Sequence, residues 1–255
     1  MKIVKLIASF LLFLGILVLM VWAGIKSNDQ TCSKISILIN SSDEAKLITE
    51  SDILRILKQN NMEWEGKTVK EIELSSIHKI LAKENYIKTV DKVHLLGSKL
   101  QIEVTLYKIL MEVQPKNGEK FLLDVNGVCL PYSPKVGNDV IVAQGAIPCT
   151  LKKKETVTLN DHELYELYTV ASLIHADPFY SKLFHKLDIN DKQDITLCPK
   201  VGKLPVLFGT AQDAQTKLKS LRYMYDDVLL YMSEDKYAQL DVRFKNRIIA
   251  TKSKT

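Results

Sequence analysis

An uncharged apolar run near the amino terminus constrains this chain more than any other feature. Residues 6–25, LIASFLLFLGILVLMVWAGI, contain no charged side chain. At about 1.5 Å per residue, a helix of this length spans about 30 Å, the thickness of the hydrocarbon core of a bilayer. The run therefore predicts a transmembrane helix at 6–25 behind a short cytoplasmic tail at 1–5. Lys2 and Lys5 precede the run, and the positive-inside rule then places the rest of the chain outside the cytoplasm.

The same segment also allows a cleaved signal peptide. Val21 and Ala23 stand where a signal peptidase accepts small residues. A cleavable apolar region usually holds about 7–15 residues, so the greater length of this one favours the anchor. The predicted location is the inner (plasma) membrane, crossed once, with the bulk of the chain in the periplasm.

Composition and charge narrow the classes of function. Hydrophobic residues make up 46% of the chain and charged residues 25%, values typical of a folded protein. The net charge of +5 is small for 255 residues, so no nucleic-acid partner is expected. The four cysteines show no C-x-x-C spacing, which gives zinc or redox chemistry no support. Buried thiols and disulfides both stay open; the cysteines are Cys32, Cys129, Cys149 and Cys198.

The first folded segment has the signals of a small α+β module. A strand fits residues 35–39, and Thr49 with Asp52 forms a capping-box pattern at the start of a helix. A second helix fits 72–83, and two strands follow, joined at Gly97-Ser98. The predicted order is β-α-α-β-β over residues 34–108.

The strand and helix signals of residues 112–255 predict a mostly antiparallel sheet domain backed by helices. Asn126-Gly127 lies between two short apolar runs and is a strong hairpin signal. Residues 131–151 are rich in proline and glycine and are predicted to be loop. Helices are expected to begin near Asn160, at Asp177-Pro178 and after Thr210, and strands are expected at DITLCP and PVLFG.

The chain closes on YAQLDVRFKNRIIATK, which alternates apolar and polar residues from Ala238. A period of two predicts one β-strand, with Leu240, Val242 and Phe244 on its buried face. As the last strand it would leave an edge open. An open edge can accept a strand from another chain, or its charges can simply protect it against aggregation.

Catalytic motifs are weak throughout the sequence. Ser76 and Lys79 have the S-x-x-K spacing of serine acyl-enzymes, but the accompanying K-T-G motif is missing. Residues 188–194 resemble a calcium loop without its turn glycine. The five histidines show no H-E-x-x-H spacing. We therefore predict no enzyme, cofactor, metal or small-molecule substrate; the enzyme alternative is a degenerate serine hydrolase.

The collinear order of these parts resembles the bacterial cell-division family FtsQ/DivIB. That family has a short cytoplasmic tail, one transmembrane helix, a POTRA module and a periplasmic β domain. LLDVNGVCLP is similar to the start of its β domain, with Asp124 and Gly127 at matching positions. LDVRFKNRII is similar to its closing strand, with Asp241, Arg243 and Phe244 at matching positions.

The resemblance implies a membrane-anchored scaffold of the divisome that acts at the septum by binding. In this family a segment of FtsB adds a strand beside the last strand, and FtsL accompanies FtsB. Arg243 would then pair with a carboxylate of the partner. The residues expected to bind the partner are Leu240, Val242, Arg243, Phe244, Lys245, Arg247 and Ile248. The alternative is a POTRA-containing protein of envelope assembly or secretion.

Overall fold

The computed structural model of the protein describes most of the chain. The described residues are 12–20, 31–41, 47–68, 70–116, 118–137, 140–148, 154–158, 161–202, 204–229, 236–244 and 247–253. Residues 12–20 of the predicted transmembrane segment are helical, and the rest of that segment lies outside the described residues. Within the described ranges, no helix is both long enough and apolar enough to span a bilayer.

The chain divides into two units. The first comprises residues 1–41 and 48–107, and the second comprises residues 42–47 and 108–255. The elements of the first unit are β1 (Lys34–Asn40), α1 (Glu50–Gln59), α2 (Leu74–Ala82), β2 (Ile87–Leu96) and β3 (Lys99–Leu106). The sheet order is β1-β3-β2, with β3 parallel to β1 and antiparallel to β2. The predicted β-α-α-β-β order of elements is confirmed.

Local signals account for the first unit. The Thr49 hydroxyl accepts a hydrogen bond from the Asp52 amide, and the Asp52 carboxylate accepts one from the Thr49 amide, which completes the predicted capping box. Gly97 adopts φ +60° in the turn between β2 and β3. The core is formed by the apolar faces of the two helices and of the central strand; its fully buried members include Ile53, Leu57, Leu81, Leu100 and Val104.

The second unit is built on a nine-stranded sheet. Its strands are β4 (Ile109–Pro115), β5 (Phe121–Asp124), β6 (Cys129–Pro131), β7 (Ile141–Gly145), β8 (Phe184–Ile189), β9 (Ile195–Pro199), β10 (Val206–Gly209), β11 (Tyr237–Asp241) and β12 (Ile249–Lys252). Its helices are α3 (His162–Ala176), α4 (Pro178–Leu183) and α5 (Ala214–Tyr223), and a π-helix at Met224–Leu229 extends α5.

The strand order of this sheet is β12-β11-β10-β9-β8-β7-β4-β5-β6. Three pairs are parallel (β4 with β7, β7 with β8 and β10 with β11), and the other pairs are antiparallel. Apolar residues of α3 and α5, such as Val170, Ile174 and Leu221, share one core with Leu187 and Phe208 of the strands. The mixed α+β class is confirmed.

The predicted loop at 131–151 is wrong, because it contains β7 at the centre of the sheet. β8, which follows α4 directly, was not predicted either. The end of β7 is sharply constrained at Gly145. Gly145 adopts φ +119°, and a Cβ there would lie 2.1 Å from the carbonyl oxygen of Ile189 on β8. That close approach is possible only for glycine.

The prediction of a single closing strand at the edge of the sheet is also wrong. β11 ends at Asp241, and the chain turns before β12 begins at Ile249. β11 pairs with β10 on one side and with β12 on the other, so it has no open edge. At the break, the Asp241 carboxylate accepts the backbone N–H of Arg243 at 3.1 Å, so this amide is not available to a continuing ladder.

Candidate functional site

The nine-stranded sheet has two edges, and the edge at β6 is covered. Residues 154–157 run alongside it as an irregular segment. The amide of Cys129 donates to the carbonyl of Glu155, and the carbonyl of Cys129 accepts from the amide of Lys154, both at 2.7 Å. Pro131 has no N–H to offer. The outer groups of β6 are therefore occupied by the protein itself.

The other edge, at β12, is open within the described residues, where only β11 pairs with it. The amide of Ser253 donates to the carbonyl of Lys236, at 2.8 Å, and so points toward the β11 side. Because alternate residues of a strand point their amides the same way, those of Thr251 and Ile249 also face β11. The amides and carbonyls of Ala250 and Lys252 therefore face outward, available to an added strand.

The residues predicted to bind a partner have different surroundings. The side chains of Leu240 and Val242 are buried in the core. Phe244 is 45% exposed, and the guanidinium of Arg247 lies 5.9 Å from the centre of its ring. Ile248 is half-buried and packs against the core. Lys245 lies outside the described residues.

Arg243 is paired within its own chain. Its Nε lies 3.0 Å from Oδ1 of Asp241, and its Nη2 lies 2.7 Å from Oδ2. Its Nη1 also lies 3.7 Å from the carboxylate of Asp194, which precedes β9. The hydrogen bond from Arg243 lowers the pKa of Asp241, and burial opposes this only in part. The carboxylate is thus held ionised by its own neighbour.

The Arg243 side chain borders a cleft of about 460 Å³ between α5 and the turn that follows β11. Lys217 of α5 also lines it and donates to the carbonyls of Phe208 and Thr210, at 3.0 and 2.9 Å. Burial lowers the pKa of Lys217. Other lining residues include Asp194, Gly209, Asp213, Phe244 and Arg247.

Sequence reasoning missed several residues of this region. Ile249, 46% exposed beside the open edge, was assigned to one continuous strand. Gly209 was assigned to the end of a strand and Asp194 to a turn. In the structure both lie beside the Arg243 side chain. The only signal for Gly209 was a glycine at the end of PVLFG, which does not reveal its partner.

The motifs that could have carried chemistry lie in ordinary surroundings. Lys79 is exposed on α2, and Ser76 lies one turn away, half-buried. The loop at 190–194 is a tight turn between β8 and β9, closed by amides donating to the side chain of Asn190. No group of three or more possible metal ligands occurs in the part of the chain that the structure describes.

Cys32, Cys129 and Cys198 form no disulfide within the described residues. Cys32 and Cys129 are buried, and Cys198 is half-buried. Burial, aided by its hydrogen bond to Asp188, raises the pKa of the Cys198 thiol to about 11. Cys149 lies outside the described residues.

Among the described residues, a small β-α-α-β-β unit is followed by a large mixed sheet with one covered and one open edge, and this defines the class: a two-module α+β protein. A model of the POTRA-like domain matches residues 30–105. A model described as FtsQ/DivIB, C-terminal related, matches residues 109–251, more than half of the chain.

The chain belongs to the FtsQ/DivIB family, as the sequence analysis predicted. The FtsQ/DivIB and POTRA-like families consist of non-enzymatic scaffolds. Membership of the FtsQ/DivIB family associates the chain with cell division. No curated protein matches the chain.

Proposed function

We propose that this protein is a non-enzymatic scaffold of the bacterial divisome that binds an FtsB/FtsL-type partner by strand addition to β12. The partner supplies an extended segment that pairs with the outward amides and carbonyls of Ala250 and Lys252. Phe244 and Ile249, exposed beside that edge, supply apolar contacts, and Arg247 supplies a positive charge. The protein thereby links division proteins during septum formation.

The asymmetry between the two sheet edges carries this proposal. Unpaired strand edges invite association, and folded proteins usually protect them. Here residues 154–157 protect β6, whereas β12 stays uncovered within the described ranges. β12 carries a positive charge at Lys252 but no proline and no bulge of its own, the features that would block pairing. An edge left open opposite a covered one is what β-strand addition requires.

Membership of the FtsQ/DivIB family supports division over the alternative of envelope assembly or secretion. A POTRA-like domain alone fits both, but the match at 109–251 extends over the sheet that carries the open edge. The family also supports a location at the septum, in the inner membrane. The apolar run at 6–25 is the anchor in this proposal, and confinement to one membrane raises the effective concentration of both partners.

Proline substitution at β12 tests the proposal. Lys252→Pro and Ala250→Pro each remove an outward N–H, which strand addition needs and the β11–β12 pairing does not. We expect each to lower capture of the purified FtsB–FtsL-type pair of the same bacterium at least tenfold, while the circular-dichroism spectrum stays unchanged. Lys252→Pro is the milder change because the side chain is exposed.

Two controls make the result decisive. Lys252→Ala keeps the amide while removing the same charge, and capture should persist. Thr251→Pro removes an inward N–H and should loosen the β11–β12 hairpin itself. Full capture by both outward proline variants would refute strand addition at β12.

A further inference from the structure

The β11–β12 hairpin is attached to the rest of the sheet by a short ladder. β11 pairs with β10 over only two residue pairs, Val206 with Leu240 and Leu207 with Asp241. The amides of Leu240 and Val242 donate to carbonyls on the β10 side, each at 3.0 Å. The pairing is parallel, which is slightly weaker per residue than antiparallel pairing. A hairpin held this way needs further contacts to keep a fixed position.

The side chain of Arg243 supplies such contacts across three strands. Its guanidinium forms two parallel hydrogen bonds to Asp241 at the end of β11. Its aliphatic part crosses Gly209 at the end of β10, and its Nη1 reaches the Asp194 carboxylate beside β9. The planar guanidinium fits a carboxylate in this two-bond geometry, which a lysine ammonium does not reproduce.

Gly209 makes this crossing possible. A Cβ at this position would lie 3.0 Å from Cγ and 3.2 Å from Cδ of Arg243, and the residue adopts φ +75°. Any other residue type would both strain the backbone and press against the arginine. Gly209 and Arg243 are therefore fitted to each other.

We propose that Arg243 is a positioning residue that clasps the β11–β12 hairpin to β9 and β10 through Asp241 and Asp194, and so holds the β12 edge in place for an added strand. This inference rests on the proposed function of β12. It differs from the sequence-based expectation that Arg243 pairs with a carboxylate of the partner, because the carboxylates that it contacts belong to its own chain.

The other charged groups of the cleft are engaged elsewhere or lie apart from this pair. Lys217 donates to backbone carbonyls, and Arg247 lies over the ring of Phe244. Asp213 borders the cleft at the start of α5. Arg243 is therefore the cationic side chain that makes the two-bond contact with Asp241. Protonation of the Asp241 carboxylate should break this contact.

Hydrogen exchange in the full chain tests the clasp. We expect Arg243→Gln and Asp241→Asn each to lower the protection of the hydrogen-bonded hairpin amides, such as those of Leu240, Val242 and Ser253, about tenfold, with other regions and the thermal midpoint little changed. Arg243→Lys should not restore protection. The double variant should be no worse than either single variant, because both break the same contact.

Capture of the purified FtsB–FtsL-type pair gives the second readout. In each variant that lowers the protection of the hairpin amides, we expect the rate of association with the FtsB–FtsL-type pair to fall as well. Acidification should release the hairpin in the unmodified protein but should have no such effect in Asp241→Asn. This pH dependence would not occur if Arg243 acted only through the packing of its carbon chain.

The outcomes separate this inference from the proposed function. Reduced capture by Arg243→Gln with unchanged protection would make Arg243 a partner contact and overturn the clasp. Lower protection with unchanged capture would overturn the positioning role. Full capture by Lys252→Pro and Ala250→Pro would refute strand addition at β12, whatever the exchange data show.

Discussion

The turn between β5 and β6 is built around the carboxylate of Asp124, which is fully buried. Its Oδ1 accepts the amides of Asn126 at 2.9 Å and of Val128 at 2.6 Å, and its Oδ2 accepts the side-chain amide of Asn126 at 2.9 Å. Gly127 takes φ +78° so that the chain can close around this acceptor. One buried carboxylate thus accepts three hydrogen bonds and fixes the conformation of the turn.

Asp124→Ala should destabilise the second unit by about 2 kcal/mol, because the amides of Asn126 and Val128 lose their hydrogen bonds to a buried carboxylate. The free energy of unfolding from urea titration measures the effect. Asp124→Asn keeps one oxygen acceptor, so its free energy of unfolding should fall clearly less than that of Asp124→Ala. Equal stability of the alanine variant and the unmodified protein would contradict this role.

At the scale of secondary structure, the parallel pairing of β7 with β8 depends on Gly145. The amide of Ala146 donates to the carbonyl of Ile189 at 3.0 Å, so the two strands converge where β7 ends. A side chain at Gly145 would occupy the position of that carbonyl. The central strands can therefore meet only with glycine at this point.

Gly145→Ala should cost about 3 kcal/mol or more, through both the backbone conformation and the clash with Ile189. The midpoint of thermal unfolding and the yield of soluble protein measure the loss. Gly66→Ala is the matched control: Gly66 also has a positive φ, +75°, but nothing lies within 4 Å of its would-be Cβ. That control should cost only about 1 kcal/mol.

Elements with local signals were predictable from the sequence, and those defined by distant contacts were not. The capping box of α1, the Asp177-Pro178 start of α4 and the Gly97 turn all depend on residues close together in the chain. The run of β-branched residues at 140–142 was a local strand signal for β7, but the prolines and glycines on both sides of it favoured a loop. The open edge was predictable as a property of the last strand, but its position on β12 depends on the break at Asp241.

At the scale of the whole molecule, acidic groups with lowered pKa values tie stability to pH. The hydrogen bond from Arg243 lowers the pKa of Asp241. Burial raises the pKa of Asp188, but hydrogen bonds from Lys186 and Cys198 outweigh it, and the net pKa is lowered. Asp91 and Glu103, on the sheet of the first unit, also have lowered pKa values because of side-chain hydrogen bonds.

A lowered pKa in the folded state stabilises the protein above the unfolded value, near 4, and the gain disappears as the pH falls through the folded-state pKa. These groups should therefore leave the urea midpoint nearly flat above about pH 5 and make it fall as the pH drops below about 4. Asp188→Asn should weaken that fall within the second unit. A midpoint that rises on acidification would contradict the sign.

The covered margin at residues 154–157 limits how far strand pairing can propagate. Within the described residues, a chain that docks at β12 finds no second open edge on the far side of this sheet, because Cys129 of β6 is paired there with Lys154 and Glu155. Two copies that met through β12 would likewise present only closed margins. Pairing of two copies through β12 therefore could not continue through the opposite margin of the same sheet.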